Sequence, residues 1–142
     1  MRFSRLNRLL SNRAVFWSYA LFWTLLLLVP DPEKLLFRDL LPPSITGGKG
    51  HWDKLVHGSG YLGLFVLAAA TYASGPPSRP RLWVIAACVA HAALTEIGQL
   101  VVPNRNCDLL DWLADVAGIL VGLCLLKVFR TLQRSPEPRP GS

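Results

Sequence analysis

The sequence predicts an all-α, polytopic membrane protein built as an antiparallel bundle of four transmembrane helices. Apolar residues make up 51% of the 142 residues, and the mean hydropathy is +0.34, which is high for a soluble protein of this size. These residues gather in stretches that are each near the roughly 20 residues needed to cross a bilayer as a helix. Short connectors between the last three stretches make neighbouring helices antiparallel. The stretches are residues 14–29, 55–74, 82–102 and 109–128.

The first stretch, AVFWSYALFWTLLLLV, follows the basic segment MRFSRLNRLLSNR, as the apolar region of a secretory signal peptide would. The sequence after it, VPDPEK, lacks the small-residue cleavage site of such peptides. We therefore interpret it as an uncleaved signal anchor. The predicted organisation is a basic cytoplasmic tail over residues 1–13, a transmembrane domain over residues 14–130 and a disordered cytoplasmic tail over residues 131–142.

Basic residues divide unevenly between the two sides of this bundle. The net charge of +6 would suggest a nucleic-acid partner in a soluble protein. If all four stretches span, one side holds ten basic residues and one acid, whereas the other holds five basic residues and eight acids. The positive-inside rule then places both termini in the cytoplasm. Because topology explains the charge, we expect no nucleic-acid partner.

The loop between the first two stretches contains EKLLFRDLL, whose apolar residues share one helical face. This pattern predicts a short interfacial helix in the first outer loop. The following TGGKG lacks the spacing of a phosphate-binding P-loop and is interpreted as a flexible linker.

Polar and ionisable residues collect at the outer ends of the last three predicted helices. Their spacing places those of each helix on one face, for example Asp53, His57 and Tyr61 at i, i+4 and i+8. Glu96 and Asp115 each lie about 9 Å from the nearest helix end, at a depth where ionisable groups usually face the bundle interior. We therefore expect one shared pocket. The predicted ligand-binding residues are Asp53, Lys54, His57, Glu96, Gln99, Arg105, Asp111 and Asp115.

The acids and the histidine are ligand types for a divalent cation, which we treat as a possible cofactor. The candidate catalytic bases are His57 and Glu96. Alternatively, Asp108 and Asp111 cap the last helix, and the deeper carboxylates form an internal ion-pair or hydrogen-bond network. The candidate metal ligands are His57, Glu96, Asp111 and Asp115.

Lys54 and Arg105 border the pocket at the level of lipid phosphates, which both side chains can bind. Equally, they could neutralise Asp53 and Glu96. We interpret His91, which lies alone near the middle of its helix, as a packing residue rather than part of the site.

The last predicted helix carries a ladder of small residues, Ala114, Gly118 and Gly122, that allows close approach of another helix. Packing within the bundle is the preferred interpretation, and self-dimerisation is the alternative.

Two segments resemble the VanZ-like family of small bacterial membrane proteins, namely DKLVHGSGYLGL from Asp53 and EIGQLVVPNRNCDLLDWLADVAGILVG from Glu96. The family pattern is a D-K-x-x-H start, an E-x-x-Q pair, an Arg and D-x-x-x-N-x-x-G-x-x-x-G. Asp115 departs from the pattern because the family usually has Asn there, and this extra carboxylate favours cation binding. The matching residues are Asp53, Lys54, His57, Glu96, Gln99, Arg105, Asp111, Asp115, Gly118 and Gly122.

The resemblance implies a location in the bacterial plasma (inner) membrane and a role at the cell envelope, since the family is associated with resistance to the glycopeptide teicoplanin. Our leading hypothesis is that the pocket binds the anionic headgroup of an envelope lipid or cell-wall precursor. One alternative is a metal-assisted hydrolase or transferase that acts on such a lipid. The other is a non-catalytic membrane interaction subunit.

Overall fold

The computed structural model describes residues 9–30, 51–72, 82–103 and 105–133, apart from the side chains at positions 51, 52, 130 and 133. Within these residues the secondary structure is helical, with no strand, which confirms the all-α prediction. The helices are α1 (Arg13–Leu27), α2 (His51–Tyr72), α3 (Leu82–Gln99) and α4 (Leu109–Gln133).

Three of these helices, α2, α3 and α4, are long and apolar enough to cross a membrane. Helix α1 is apolar but only 15 residues long, about 22 Å against a hydrocarbon core of about 30 Å. The structure thus supports a helical membrane protein with three candidate spans, while the fourth span remains a prediction.

Two boundaries differ from those expected. Helix α3 ends at Gln99, so Glu96 lies about 4.5 Å from the helix end rather than about 9 Å. Helix α4 continues to Gln133, so the expected boundary at residue 130 falls inside it. The predicted interfacial helix and residues 134–142 lie outside the described residues.

Large apolar side chains are exposed along the outer faces of the helices. Leu94, Leu120 and Leu125 each expose more than half of their surface. Contiguous exposed apolar surface of this kind is rare on soluble monomers and is expected where a protein meets lipid. The interior instead contains Tyr61, Phe65 and several buried polar groups.

Helix α2 packs against α4 more extensively than any other described pair of helices. A Cβ atom added at Gly118 would lie 2.0 Å from the carbonyl oxygen of Gly58, so the two backbones touch. A Cβ atom at Gly122 would lie 2.9 Å from the Phe65 ring. The small-residue ladder therefore has a packing role within the chain.

Helix α1 docks on a different face of α2 through aromatic residues. Gly60 provides the space, because a Cβ atom there would overlap the Trp23 ring at 1.8 Å. The Tyr19 hydroxyl donates a hydrogen bond of 3.0 Å to the Gly60 carbonyl. The docked helix brings the carbonyl of its last residue, Leu27, and that of Val29 just after it to the end of the bundle where the polar residues gather.

Candidate functional site

Polar side chains from α2, α3, the α3–α4 connector and α4 meet at one end of the bundle, as the sequence predicts. We call this set the polar end cluster. It contains seven of the eight predicted ligand-binding residues together with Asp108, whereas Gln99 makes its hydrogen bond elsewhere. Its members are Asp53, Lys54, His57, Glu96, Arg105, Asp108, Asp111 and Asp115.

His57 lies at the centre of the cluster and is fully buried. Its Nδ1 atom is 3.0 Å from Asp115 Oδ1 and 3.8 Å from Glu96 Oε1. On the other side of the ring, Nε2 lies 4.0 Å from Asp53 Oδ1, one helical turn earlier in α2. One imidazole thus faces carboxylates from three helices and lies where those helices meet.

Lys54 pairs with α4 instead of with the neighbouring Asp53 or with Glu96. Its Nζ atom is 2.8 Å from Asp111 Oδ1 and 3.5 Å from Asp108 Oδ2. Consecutive residues of a helix point about 100° apart, which explains why Lys54 and Asp53 meet different partners. Asp111 is buried, so its carboxylate is an ion-pair partner and not a solvated helix cap.

Arg105 reaches back from the connector to the ends of α1 and α2. Its Nη1 atom is 3.4 Å from Asp53 Oδ2, and its Nε–H donates to the Val29 carbonyl over 3.4 Å. Both distances are long for such contacts, and the buried Nη2 atom has no hydrogen-bond partner among the described residues. The described residues therefore leave part of the guanidinium unsatisfied.

Glu96 and Asp108 fix the connector between α3 and α4. The backbone N–H of Asp108 donates to Glu96 Oε2 over 3.0 Å, and Asp108 Oδ1 accepts from the Leu110 N–H over 2.8 Å. Asp108 thus occupies the N-cap position of α4, as the capping interpretation expects. The hydrogen bond from Leu110, supported by the Lys54 ammonium, lowers the pKa of Asp108 below its ordinary value.

Gln99 is fully buried but belongs to the junction with α1. Its Nε2 atom donates to the Leu27 carbonyl over 3.3 Å. Sequence reasoning missed this contribution of α1, since backbone carbonyls are present at every position and give no sequence signal. Gln99 and Arg105 both use such carbonyls.

Many buried polar atoms at this end have no hydrogen-bond partner among the described residues. Natural structures satisfy the great majority of such atoms, so a group of them at one place makes this end of the bundle a candidate binding site. In the polar end cluster and at Gln99 these atoms are Asp53 Oδ1, His57 Nε2, Glu96 Oε1, Gln99 Oε1, Arg105 Nη2 and Asp115 Oδ2.

A separate hydrogen-bond chain occupies the middle of the bundle. His91 Nδ1 lies 2.9 Å from the Tyr61 hydroxyl, and His91 Nε2 lies 2.9 Å from Thr24 Oγ1. The Tyr61 hydroxyl also lies 2.8 Å from Thr95 Oγ1. Tyr61 therefore hydrogen-bonds to α3 and does not contribute to the polar end cluster with Asp53 and His57. Both ring nitrogens of His91 have partners, which agrees with its interpretation as a packing residue.

An apolar cavity of about 680 Å³ lies between α1, α2 and α3. Phe16, Trp17, Tyr72 and Trp83 line it, with His91 among the few polar residues. None of the predicted ligand-binding residues lines this cavity, which makes it distinct from the polar end cluster.

Two groups of residues in the cluster could hold a metal ion by geometry. In each group, one ligand atom per residue lies within 4.8 Å of the others. The groups are Asp53, His57 and Asp111, and His57, Glu96 and Asp115.

Comparison with known proteins agrees with the resemblance in the sequence. No curated protein and no solved structure matches the chain significantly. The family model VanZ/LLP1 matches residues 16–130. This range includes all four described helices apart from the first three residues of α1 and the last three of α4. This chain therefore belongs to the VanZ/LLP1 family.

Proposed function

We propose that the polar end cluster binds the anionic, phosphate-bearing headgroup of an envelope lipid or lipid-linked cell-wall precursor in the outer leaflet of the bacterial plasma membrane. The observation that carries this proposal is the unsatisfied guanidinium of Arg105. Its buried Nη2 atom has no hydrogen-bond partner in the part of the chain that the structure describes, and its contacts with Asp53 and Val29 are both 3.4 Å long. Arg binds phosphate through two parallel N–H groups, so a headgroup oxygen would complete its hydrogen bonding.

The position of the cluster supports a lipid rather than a deeply buried ligand. It lies where the candidate spans α2, α3 and α4 begin or end, and such ends lie near the headgroups of a bilayer. Lys54 and Asp108 are the accessible members, with 30% and 44% of their side chains exposed. The Lys54 ammonium can therefore approach a headgroup while it remains paired with Asp111.

The proposal includes a topology in which α1 is the fourth span and both termini are cytoplasmic. The exposed Cys107, next to the cluster, then faces outward and serves as a natural reporter. In intact cells, a membrane-impermeant maleimide should label Cys107, and Cys107→Ser should remove that signal. Labelling of Cys107 only after cell lysis would contradict this orientation.

Binding is tested by native mass spectrometry of the purified chain titrated with dioleoylphosphatidic acid or dioleoylphosphatidylcholine. We expect phosphatidic acid to bind more tightly, and Arg105→Gln to weaken its binding about tenfold, or about 1.4 kcal/mol. The matched control is Arg13→Gln, which removes the same charge from the exposed start of α1 at the opposite end. Equal affinities in the two variants would refute the proposal.

Further measurements on the cluster variants separate the alternatives. Cleavage or transfer of the lipid phosphate, lost when His57 or Glu96 is replaced, would favour a hydrolase or transferase. Loss of thermal stability in every cluster variant, without selective loss of lipid binding, would favour an interaction subunit. A change in teicoplanin sensitivity that follows lipid binding across the variants would connect the site to an envelope phenotype.

A further inference from the structure

The deepest part of the polar end cluster brings one metal-ligand group from each of three helices to one point. His57 comes from α2, Glu96 from α3 and Asp115 from α4, and their side chains are 0%, 3% and 0% exposed. His57 Nδ1 lies 3.0 Å from Asp115 Oδ1 and 3.8 Å from Glu96 Oε1, and all three ligand atoms lie within 4.8 Å of one another.

These separations suit a common ion. Nitrogen and oxygen ligands about 2.0–2.2 Å from one metal lie about 3 to 3.5 Å apart at octahedral or tetrahedral angles. The contact between His57 and Asp115, 3.0 Å, lies within that range, and the contact between His57 and Glu96, 3.8 Å, exceeds it by a few tenths of an ångström. The ion would take the place of the proton in the hydrogen bond between His57 Nδ1 and Asp115 Oδ1.

The unpartnered atoms provide independent evidence for a missing ligand. Glu96 Oε1 and Asp115 Oδ2 have no hydrogen-bond partner among the described residues, and each side chain is at least nine-tenths buried. Buried carboxylate oxygens are normally paired or coordinate metals, because the cost of desolvating them is large.

The cations at this end among the described residues do not compensate this pair of acids. Lys54 is paired with Asp111 and Asp108, and Arg105 is paired with Asp53. Across the whole cluster, carboxylates outnumber the permanent cations by five to two, counting Asp53, Glu96, Asp108, Asp111 and Asp115 against Lys54 and Arg105. A bound dication would supply the missing positive charge.

In the second candidate group, Asp53, His57 and Asp111, the carboxylate charges are already neutralised without a metal ion. Both of its acids already have a cationic partner, Arg105 for Asp53 and Lys54 for Asp111. The two groups also share His57, so a single ion is expected.

We propose that His57, Glu96 and Asp115 bind one divalent transition-metal ion. One imidazole and two carboxylates suit Zn²⁺ or Mn²⁺ better than Ca²⁺ or Mg²⁺, which prefer ligand sets made entirely of oxygen. This site goes beyond the headgroup proposal and does not depend on it, because the ion can be measured with no lipid ligand added.

The test uses the full chain, purified in mild detergent without a polyhistidine tag, treated with a chelator and then titrated with ZnCl₂ or MnCl₂. Isothermal titration calorimetry should give about one ion per chain. Glu96→Gln and Asp115→Asn should each weaken binding at least tenfold. The control is Asp108→Asn, which removes the same charge from an exposed acid at the same end and keeps a capping residue.

A second measurement needs no variant and so does not depend on how the variants fold. Pulsed electron paramagnetic resonance of Mn²⁺ bound to the wild-type chain should detect one coordinated imidazole nitrogen. Absence of stoichiometric binding, binding that Glu96→Gln and Asp108→Asn weaken equally, or bound Mn²⁺ without a nitrogen ligand would each overturn the proposal.

Discussion

Gly58 and Gly118 place the backbones of α2 and α4 in direct contact. A Cβ atom at position 118 would lie 2.0 Å from the Gly58 carbonyl oxygen and 3.0 Å from its Cα atom. His57 precedes Gly58, and Asp115 lies about one turn before Gly118. The same close approach therefore brings His57 Nδ1 to 3.0 Å from Asp115 Oδ1. Helix packing and site geometry depend on the same pair of glycines.

Gly118→Ala should force α2 and α4 apart, since the added methyl group meets backbone atoms that cannot rotate away. We expect a loss of about 1 to 3 kcal/mol in the free energy of unfolding, together with weaker metal and lipid binding. Thermal unfolding in detergent measures the first effect. In the control, Gly98→Ala, the added Cβ atom lies 3.2 Å from Leu28 Cδ2, which is the end of a side chain and can rotate away. A similar loss in both variants would contradict the role assigned to the 58–118 contact.

Asp108→Ala should remove the N-cap of α4 and reduce the free energy of unfolding by about 1 kcal/mol at neutral pH. The lowered pKa of Asp108 means that its ionised form stabilises the folded chain. This contribution is complete above the pKa of an unfolded Asp, about 3.9, and is lost as the pH falls through the lower folded value. The stability difference between wild type and Asp108→Ala should therefore shrink from pH 6 to pH 3.

Asp108→Asn is the control for that measurement, because Asn caps a helix without titrating. Its stability relative to Asp108→Ala should be the same at pH 6 and pH 3. An unchanged difference between wild type and Asp108→Ala over this range would show that the charge of Asp108 does not contribute.

Glu96→Gln should stabilise the chelator-treated protein by about 1 kcal/mol, because it removes one of two buried carboxylates whose ligand oxygens lie within 4.8 Å of each other. The amide oxygen can still accept the hydrogen bond from the Asp108 N–H. With Zn²⁺ added, the order of the melting temperatures should reverse, since only the wild type retains the complete ligand set. A variant that is less stable than wild type in both conditions would assign Glu96 a purely structural role.

Much of this structure follows from sequence patterns. Apolar runs predicted the positions of the four described helices, and helical spacing placed Asp53 and His57 on one face, where the structure brings them within 4.0 Å. Ionisable side chains are costly at membrane depth, and this cost predicted that the charged residues of separate helices would meet inside the bundle. Bundle packing explains the glycine ladder because Gly118 and Gly122 face α2.

The partners within the cluster could not be predicted, because they depend on how the helices are rotated about their axes. Lys54 could equally have paired with Asp53 or Glu96, but the rotation of α2 directs it to Asp111. By spacing, Tyr61 lies on the same face of α2 as His57, but its hydroxyl forms hydrogen bonds with His91 and Thr95 of α3. The end of α3 at Gln99 also depends on the Pro-containing connector that follows it and not on hydropathy.

The most direct test of the central claim, that the polar end cluster is a ligand site, is lipid mass spectrometry of the chain purified from its native membrane. We expect a phosphate-bearing lipid to co-purify in a fixed ratio with the wild type and with Arg13→Gln, and to be lost from Arg105→Gln. Co-purified lipids that match the bulk membrane in all three proteins would contradict a lipid-headgroup site in the cluster.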